Sequence, residues 1–286
     1  MAYSHFVMRR TVSLRRTLAT VAAVDPREVL SRRAPGPDIV VRYGDEPDQL
    51  IDIHLAASGG VREPAPLVVA VHGGFWRQEY DRRHLRPMVA GLVDLGFAVA
   101  SVEYRRVGGA GGWPATLDDV AAALTALPAL LPGVAEGRVG TVDSVLVGHS
   151  AGGHLAMWAA AQGSGSWVRR VVGLAPVADL REAYRRRLGD DAVAELLGGS
   201  PSAVPDRYAY ADAADSGSGS VPVVVVHGED DVQVPVEMSR ALRKVDFVGL
   251  AGVGHFALID PSSAAWPSVV AALRPPTPQA ADPPGS

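Results

Sequence analysis

Ser150 stands in VGHSAGGHLAMWAA (residues 147–160), boxed in by glycine and alanine directly after a run of aliphatic residues. A serine hydroxyl becomes a useful nucleophile when a base takes its proton, and that base needs an acid to orient it. Both are available downstream. VVVVHGEDDVQVPVE places Asp230 and Asp231 just after an aliphatic run, and VGLAGVGHFALID places His255 in a glycine-rich loop after the next one. Serine, aspartate and histidine in that chain order are the set an open α/β sheet uses for acyl transfer.

The setting of the serine adds weight to the pentapeptide GHSAG, which alone is a weak G-x-S-x-G match. An aliphatic strand, SVLV, runs into it and a helix-forming stretch, AGGHLAMWAA, leaves from it. Such a strand–turn–helix holds the serine in a strained, exposed conformation. Gly148 and Gly152 are expected where neighbouring backbone leaves no room for a Cβ, and Gly153 where the helix packs near the sheet.

A tetrahedral intermediate also needs N–H donors aimed at its oxyanion, each worth on the order of 3 kcal/mol. HGGFW (72–76) directly follows the aliphatic LVVAV. We assign the oxyanion hole to the amides of Gly74 and Phe75, with Ala151 as the donor after the nucleophile. His72 is read as a brace for this loop, and Trp76 as either a wall of the substrate pocket or an anchor in the core. His149, His154 and His227 are read as packed and hydrogen-bonded. No spaced set of histidines and carboxylates converges as a metal site would require, so no metal and no cofactor is expected.

Composition sets the outer limits. The 286 residues are 48% hydrophobic and 20% charged with a net charge of −4, which gives no basic field for nucleic acid or an anionic membrane surface. Cysteine is absent, which excludes disulfides, thiolate metal sites and a cysteine nucleophile. No apolar run reaches the ~20 residues of a membrane span. The start is arginine-rich with no acidic residue before Asp25; a surface helix or frayed terminus in a cytoplasmic protein is the expectation, and export or import stays open.

The elements that must carry these residues follow from alternation. IVVRY (39–43) and LIDIHLA (50–56) flank a turn with Gly44 and Pro47, as in a hairpin. PLVVAVHGG (66–74), FAVASVEY (97–104), SVLVGHS (144–150), VRRVVGLAP (168–176), VPVVVVHG (221–228) and VDFVGLAG (245–252) read as strands. Helical stretches near 83–95, 116–127, after 151, from about Pro235 and beyond Pro261 separate them. The result is one α/β domain over 1–286: a mostly parallel, doubly wound sheet of about eight strands with helices on both faces. Between Pro176 and Val221 the alternation lapses into two or three short helices, whose arginines (Arg181, Arg185, Arg186, Arg187) read as a solvated face. The folded core is placed at about 38–275, with a flexible lead-in over 1–37 and a flexible proline-rich tail over 275–286.

Together RYGDEPDQLIDIHL, HGGFWR, VEYRR with GGWP, LDDV, GHSAGGHLA, HGEDDVQVP and GVGHFALID resemble the serine α/β-hydrolases that include small-molecule esterases and kynurenine formamidase-like enzymes. The likeness runs from about Val40 to Ile259. It implies an α/β-hydrolase fold and a Ser150–His255–Asp231 triad acting through an acyl-enzyme on a small carboxylic ester or aryl formamide. The D-x-x-V-P pattern of the resemblance fits Asp231 rather than Asp230. Phe75 takes a place where several esterases carry a third glycine, a departure toward the formamidase-like branch. A peptidase, or a non-catalytic binding protein on the same fold, is the rival expectation. Substrate identity and oligomeric state lie beyond the sequence.

Overall fold

The computed structural model describes residues 25–57, 63–214 and 221–274. Eight strands form one sheet: β1 (Ile39–Arg42), β2 (Leu50–His54), β3 (Ala65–Val71), β4 (Ala98–Val102), β5 (Val139–His149), β6 (Arg170–Leu174), β7 (Val223–Gly228) and β8 (Asp246–Leu250). Their order across the sheet is β1-β2-β4-β3-β5-β6-β7-β8. The β1–β2 and β2–β4 pairs are antiparallel and every later pair is parallel. All eight expected strands are present, with the antiparallel start.

The aliphatic runs become strands because both faces of the sheet are covered, so successive side chains enter different cores. In β3, Leu67, Val69 and Val71 face one core and Val68 and Ala70 the other. The first core is closed by α2 (Ala115–Ala135), α3 (Ala151–Ala161) and the short helices α4 (Leu180–Arg185), α5 (Ala192–Leu197) and α6 (Pro205–Ala211). The second is closed by α1 (Arg86–Asp94) and α8 (Trp266–Leu273). Helix α7 (Val236–Arg240) follows β7 and is only five residues long.

Helix α2 is longer than expected and is apolar enough in its length and composition to cross a membrane. Here it lays Leu117, Val120, Leu124, Leu127 and Leu131 into the first core. In the excursion, Arg185 and Arg186 pair with Glu182, Arg187 pairs with Asp191, and Arg181 lies over the Tyr208 ring, as a solvated face does.

The fold begins earlier than the sequence indicated. Residues 25–37, read as a flexible lead-in, include a 3-10 turn at Glu28–Leu30 whose Val29 is buried in the second core. Arg32 then grips Asp260 with two hydrogen bonds, of 2.6 and 2.9 Å. The lead-in reading rested on SRRAPGPD, a polar, proline-bearing stretch. Its contacts are with residues about 230 positions away, which no local pattern announces. The arginine-rich start before Asp25 and the tail beyond Arg274 lie outside the described residues.

Candidate active site

Strand β5 ends at His149, and Ser150 caps α3 with φ 57° and ψ −120°, a conformation L-residues rarely adopt. Tight backbone contacts hold it there. A Cβ on Gly148 would lie 2.1 Å from the Gly152 carbonyl oxygen, and one on Gly152 would lie 2.2 Å from that of Val71. The Ser150 N–H donates to the Leu174 carbonyl at 2.8 Å, tying the elbow to β6. The small neighbours of Ser150 are therefore a steric requirement of the turn.

His255 opens a 3-10 helix (His255–Ile259) in the loop after β8. Its Nδ1 is 2.6 Å from Asp231 Oδ2, with both side chains almost fully buried. Asp231 Oδ1 accepts from the N–H groups of Gln233 and Val234, and Oδ2 also lies 3.3 Å from His227 Nε2. Burial pushes this carboxyl up, but the hydrogen bonds from His227, His255 and the backbone outweigh it and hold Asp231 far below the usual range. It is an anion held by two backbone amides and by His255, which fixes the orientation of the His255 ring. Asp230, the other aspartate, is exposed.

A cavity of about 260 Å³ brings the expected residues together: Gly74, Phe75, Ser150 and His255 line it. Nδ1 is engaged by Asp231, and Nε2 is the second ring nitrogen of His255, whose side chain lines the cavity with Ser150. Ala151 is buried and does not line the cavity, but as the first residue of α3 its N–H precedes the helix's own hydrogen-bond ladder. Gly74, Phe75 and Trp76 take φ values of 108°, 51° and 58°, so the loop after β3 turns sharply beside the cavity that Gly74 and Phe75 line.

This loop is braced from below. His72 Nε2 meets the Glu103 carboxylate at 2.8 Å, and the His72 ring stacks on Tyr104, whose hydroxyl donates to the His72 carbonyl. Glu103 also accepts from the Arg82 and Tyr104 amides and from Arg106, and Arg106 donates to the Tyr80 carbonyl. Burial pushes the Glu103 carboxyl up, yet the His72 and Arg106 charges and the N–H donors bring it down to about 2. The bracing role read for His72 is what the contacts describe.

Trp76 has one of its two expected places. Its side chain is fully buried, edge-on to His154 at 5.3 Å, and it does not line the cavity. The substrate-binding role is corrected to that of a core anchor, because three successive positive φ values turn residue 76 inward while residue 75 faces the cavity. Phe75 supplies the wall, its ring packed so closely on Gly189 that a Cβ there would meet it at 2.6 Å.

His149 and His154 are buried as expected, and His149 does more than fill space. It lines the cavity, its Nε2 donates to the His255 carbonyl at 3.1 Å, and its ring lies 4.4 Å from that of His255. Burial, with the positive charge His255 can carry, holds His149 well below the ordinary histidine value, so it stays neutral. Sequence reasoning missed Arg27, Leu30, Tyr80, His84, Gln233 and Phe256 as cavity residues. Tyr80 and His84 follow the HGGFW loop closely, so proximity in the chain was a usable signal. For Arg27 and Leu30 there was none.

The family described as BD-FAE matches residues 51–245, which spans β2 to the end of the loop after α7. The chain belongs to the BD-FAE family. Among relatives of this BD-FAE protein, the esterase LipC of Mycobacterium tuberculosis (strain ATCC 25618 / H37Rv) is 26% identical over 271 residues, covering 86% of this chain. The chain spans about 64% of that relative's length. Esterase B from Lactobacillus rhamnosis (HN001) superposes with a TM-score of 0.66 at 22% identity, over 86% of each chain. The bifunctional GH43-CE protein of Bacteroides eggerthii is 25% identical with a TM-score of 0.61, over 75% of this chain and 35% of that one. These superpositions show the α/β-hydrolase fold for the BD-FAE protein.

Proposed function

We propose that this protein is a serine hydrolase of small carboxylic esters, working through an acyl-enzyme. The observation that carries the reading is the buried Asp231–His255 pair opening into the same cavity as Ser150 on its strained elbow. Membership of the BD-FAE family and the similarity to the esterase LipC support it.

In this mechanism His255 Nε2 removes the hydroxyl proton as Ser150 Oγ attacks the acyl carbon. The oxyanion that forms is met by N–H donors of Gly74, Phe75 and Ala151. His255, now an imidazolium against the Asp231 anion, protonates the departing alcohol. Water then enters, His255 takes one of its protons, and the hydroxide so formed attacks the acyl-enzyme carbonyl. Collapse of the second oxyanion releases the acid and returns the proton to Ser150.

The finer reading concerns the acyl group. Phe75 in the cavity wall and the volume of about 260 Å³ favour formyl, acetyl and similar groups, which keeps aryl formamides beside short esters as substrates. A fluorophosphonate probe tests the central claim, since it reacts with an activated serine. Covalent labelling at Ser150, lost in Ser150→Ala, is expected; undiminished labelling of that variant would place the nucleophile elsewhere. Parallel assay of short 4-nitrophenyl esters and N-formyl-L-kynurenine separates the two substrate classes.

A further inference from the structure

The rim of the cavity is not uniform in charge. Arg77, Glu79 and Asp190 line it together, with Arg77 bonded to Glu195 at 2.8 Å and lying in the field of both other carboxylates. Three acidic groups around one arginine leave that group net negative. The chain entering the fold lines the same cavity through Arg27 and Leu30. The Arg27 guanidinium lies over the Phe256 ring, 5.9 Å from its centroid, and makes no ion pair among the described residues. Phe256 in turn sits edge-on to His255 at 5.1 Å. An exposed cation is thus held one ring away from the reacting histidine.

This entering segment is fixed in place. Val29 is its buried anchor, and Arg32 clamps Asp260 at the end of the 3-10 helix that begins with His255. The hydrogen bonds from Arg32 bring the Asp260 carboxyl down to about 2, as a persistent ion pair does. Residues 27–32 and the histidine loop are therefore one unit, and Arg27 keeps its place relative to the chemistry.

Taking Ser150 as the nucleophile, we infer that Arg27 is an anion subsite of the active site, and that the preferred substrates are esters carrying a carboxylate away from the scissile carbonyl. The Glu79 and Asp190 carboxylates repel such a group and Arg27 attracts it, so the anion is held at Arg27. A guanidinium already poised on an aromatic face gives up little freedom when it takes a carboxylate.

The test compares 4-nitrophenyl hydrogen glutarate with the neutral 4-nitrophenyl valerate. Wild-type kcat/KM is expected to favour the glutarate by about five- to tenfold at low salt, and Arg27→Gln to bring the ratio near one. Arg33→Gln removes the same charge outside the cavity and should leave the ratio within about twofold. A wild-type ratio at or below one, or a ratio that Arg27→Gln leaves unchanged, overturns the subsite. A ratio that falls equally in Arg33→Gln shows a diffuse field instead of a site, and overturns it too. Calorimetry on the Ser150→Ala protein separates this inference from the catalytic one. There 5-oxo-5-phenylpentanoate should bind at least about fivefold tighter than its uncharged primary amide, with Arg27→Gln removing the difference. That result with no ester turnover would leave the subsite standing and remove the hydrolase reading; equal binding of the two ligands overturns the subsite whatever the kinetics.

Discussion

The ring of His149 lies 4.4 Å from that of His255, tilted by 48°, and its Nε2 donates to the His255 carbonyl at 3.1 Å. The residue before Ser150 thus holds the backbone of His255. His149→Phe keeps an aromatic ring in the same space but leaves a buried carbonyl without its donor, a loss of about 1–3 kcal/mol in such surroundings. We expect kcat for a short ester to fall by roughly tenfold or more, with KM changing little. Steady-state kinetics beside a thermal melt checks this; full activity in a folded variant would show that the contact does not position His255.

Asp231 and Asp230 are adjacent, yet only Asp231 reaches the histidine. Asp231→Asn removes the anion that orients His255 and offers it the wrong tautomer, a change that costs up to ~10⁴ in kcat in serine proteases. Asp230→Asn should alter turnover less than about tenfold, under ~1.4 kcal/mol. Kinetics on both variants, with circular dichroism to verify folding, decides it. The reverse ranking would mean that the exposed carboxylate is the one that matters.

Phe75 combines a positive φ with a ring in the cavity wall. Phe75→Gly relieves the first and opens the second. The wild-type enzyme is expected to turn over acetyl and butyryl esters faster than chains of about ten carbons, and the variant to move the optimum toward longer chains. A chain-length series on 4-nitrophenyl esters measures both. An unchanged profile in the variant would show that the ring does not bound the acyl site.

Acid should weaken the fold from an early point. Burial holds His154 down to about 4 and His84 to about 3. In the unfolded chain each takes its proton near pH ~6.5. A group whose folded pKa is depressed lends full stability above the unfolded value and loses it as pH falls toward the folded one. The window for His154 is therefore about 6.5 down to about 4. Within it each such histidine costs up to ~1.4 kcal/mol per pH unit. Urea midpoints at pH 7.5, 6 and 5 should drop steadily. His154→Gln, which can still donate to the Ala211 carbonyl where His154 Nε2 does so at 2.7 Å, should reduce the slope. A midpoint independent of pH across that range would contradict the buried, neutral assignment.

Much of this protein was written in local pattern. Aliphatic runs of strand length, broken by helical periods, are enough for eight strands in a two-faced sheet, because each run has to be buried on both sides. GHSAGG demanded an elbow for steric reasons that hold wherever the chain sits. Asp231 was preferred to Asp230 through the family resemblance, and in the structure its carboxylate turns back onto its own Gln233 and Val234 amides, a short-range contact. Trp76 was ambiguous for the opposite reason: an aromatic beside a glycine pair reads the same whether it faces the cavity or the core, and backbone dihedrals across residues 74–76 made the choice. The packing of His149 on His255 joins positions 106 apart, and Arg27 reaches Phe256 across most of the chain. The sequence by itself determined the sheet, the elbow and the candidate residues for chemistry, since these depend on neighbours within a few positions. Only the tertiary structure decided what surrounds Ser150 and His255, because the walls of a cavity are chosen by which distant segments the sheet brings to one edge.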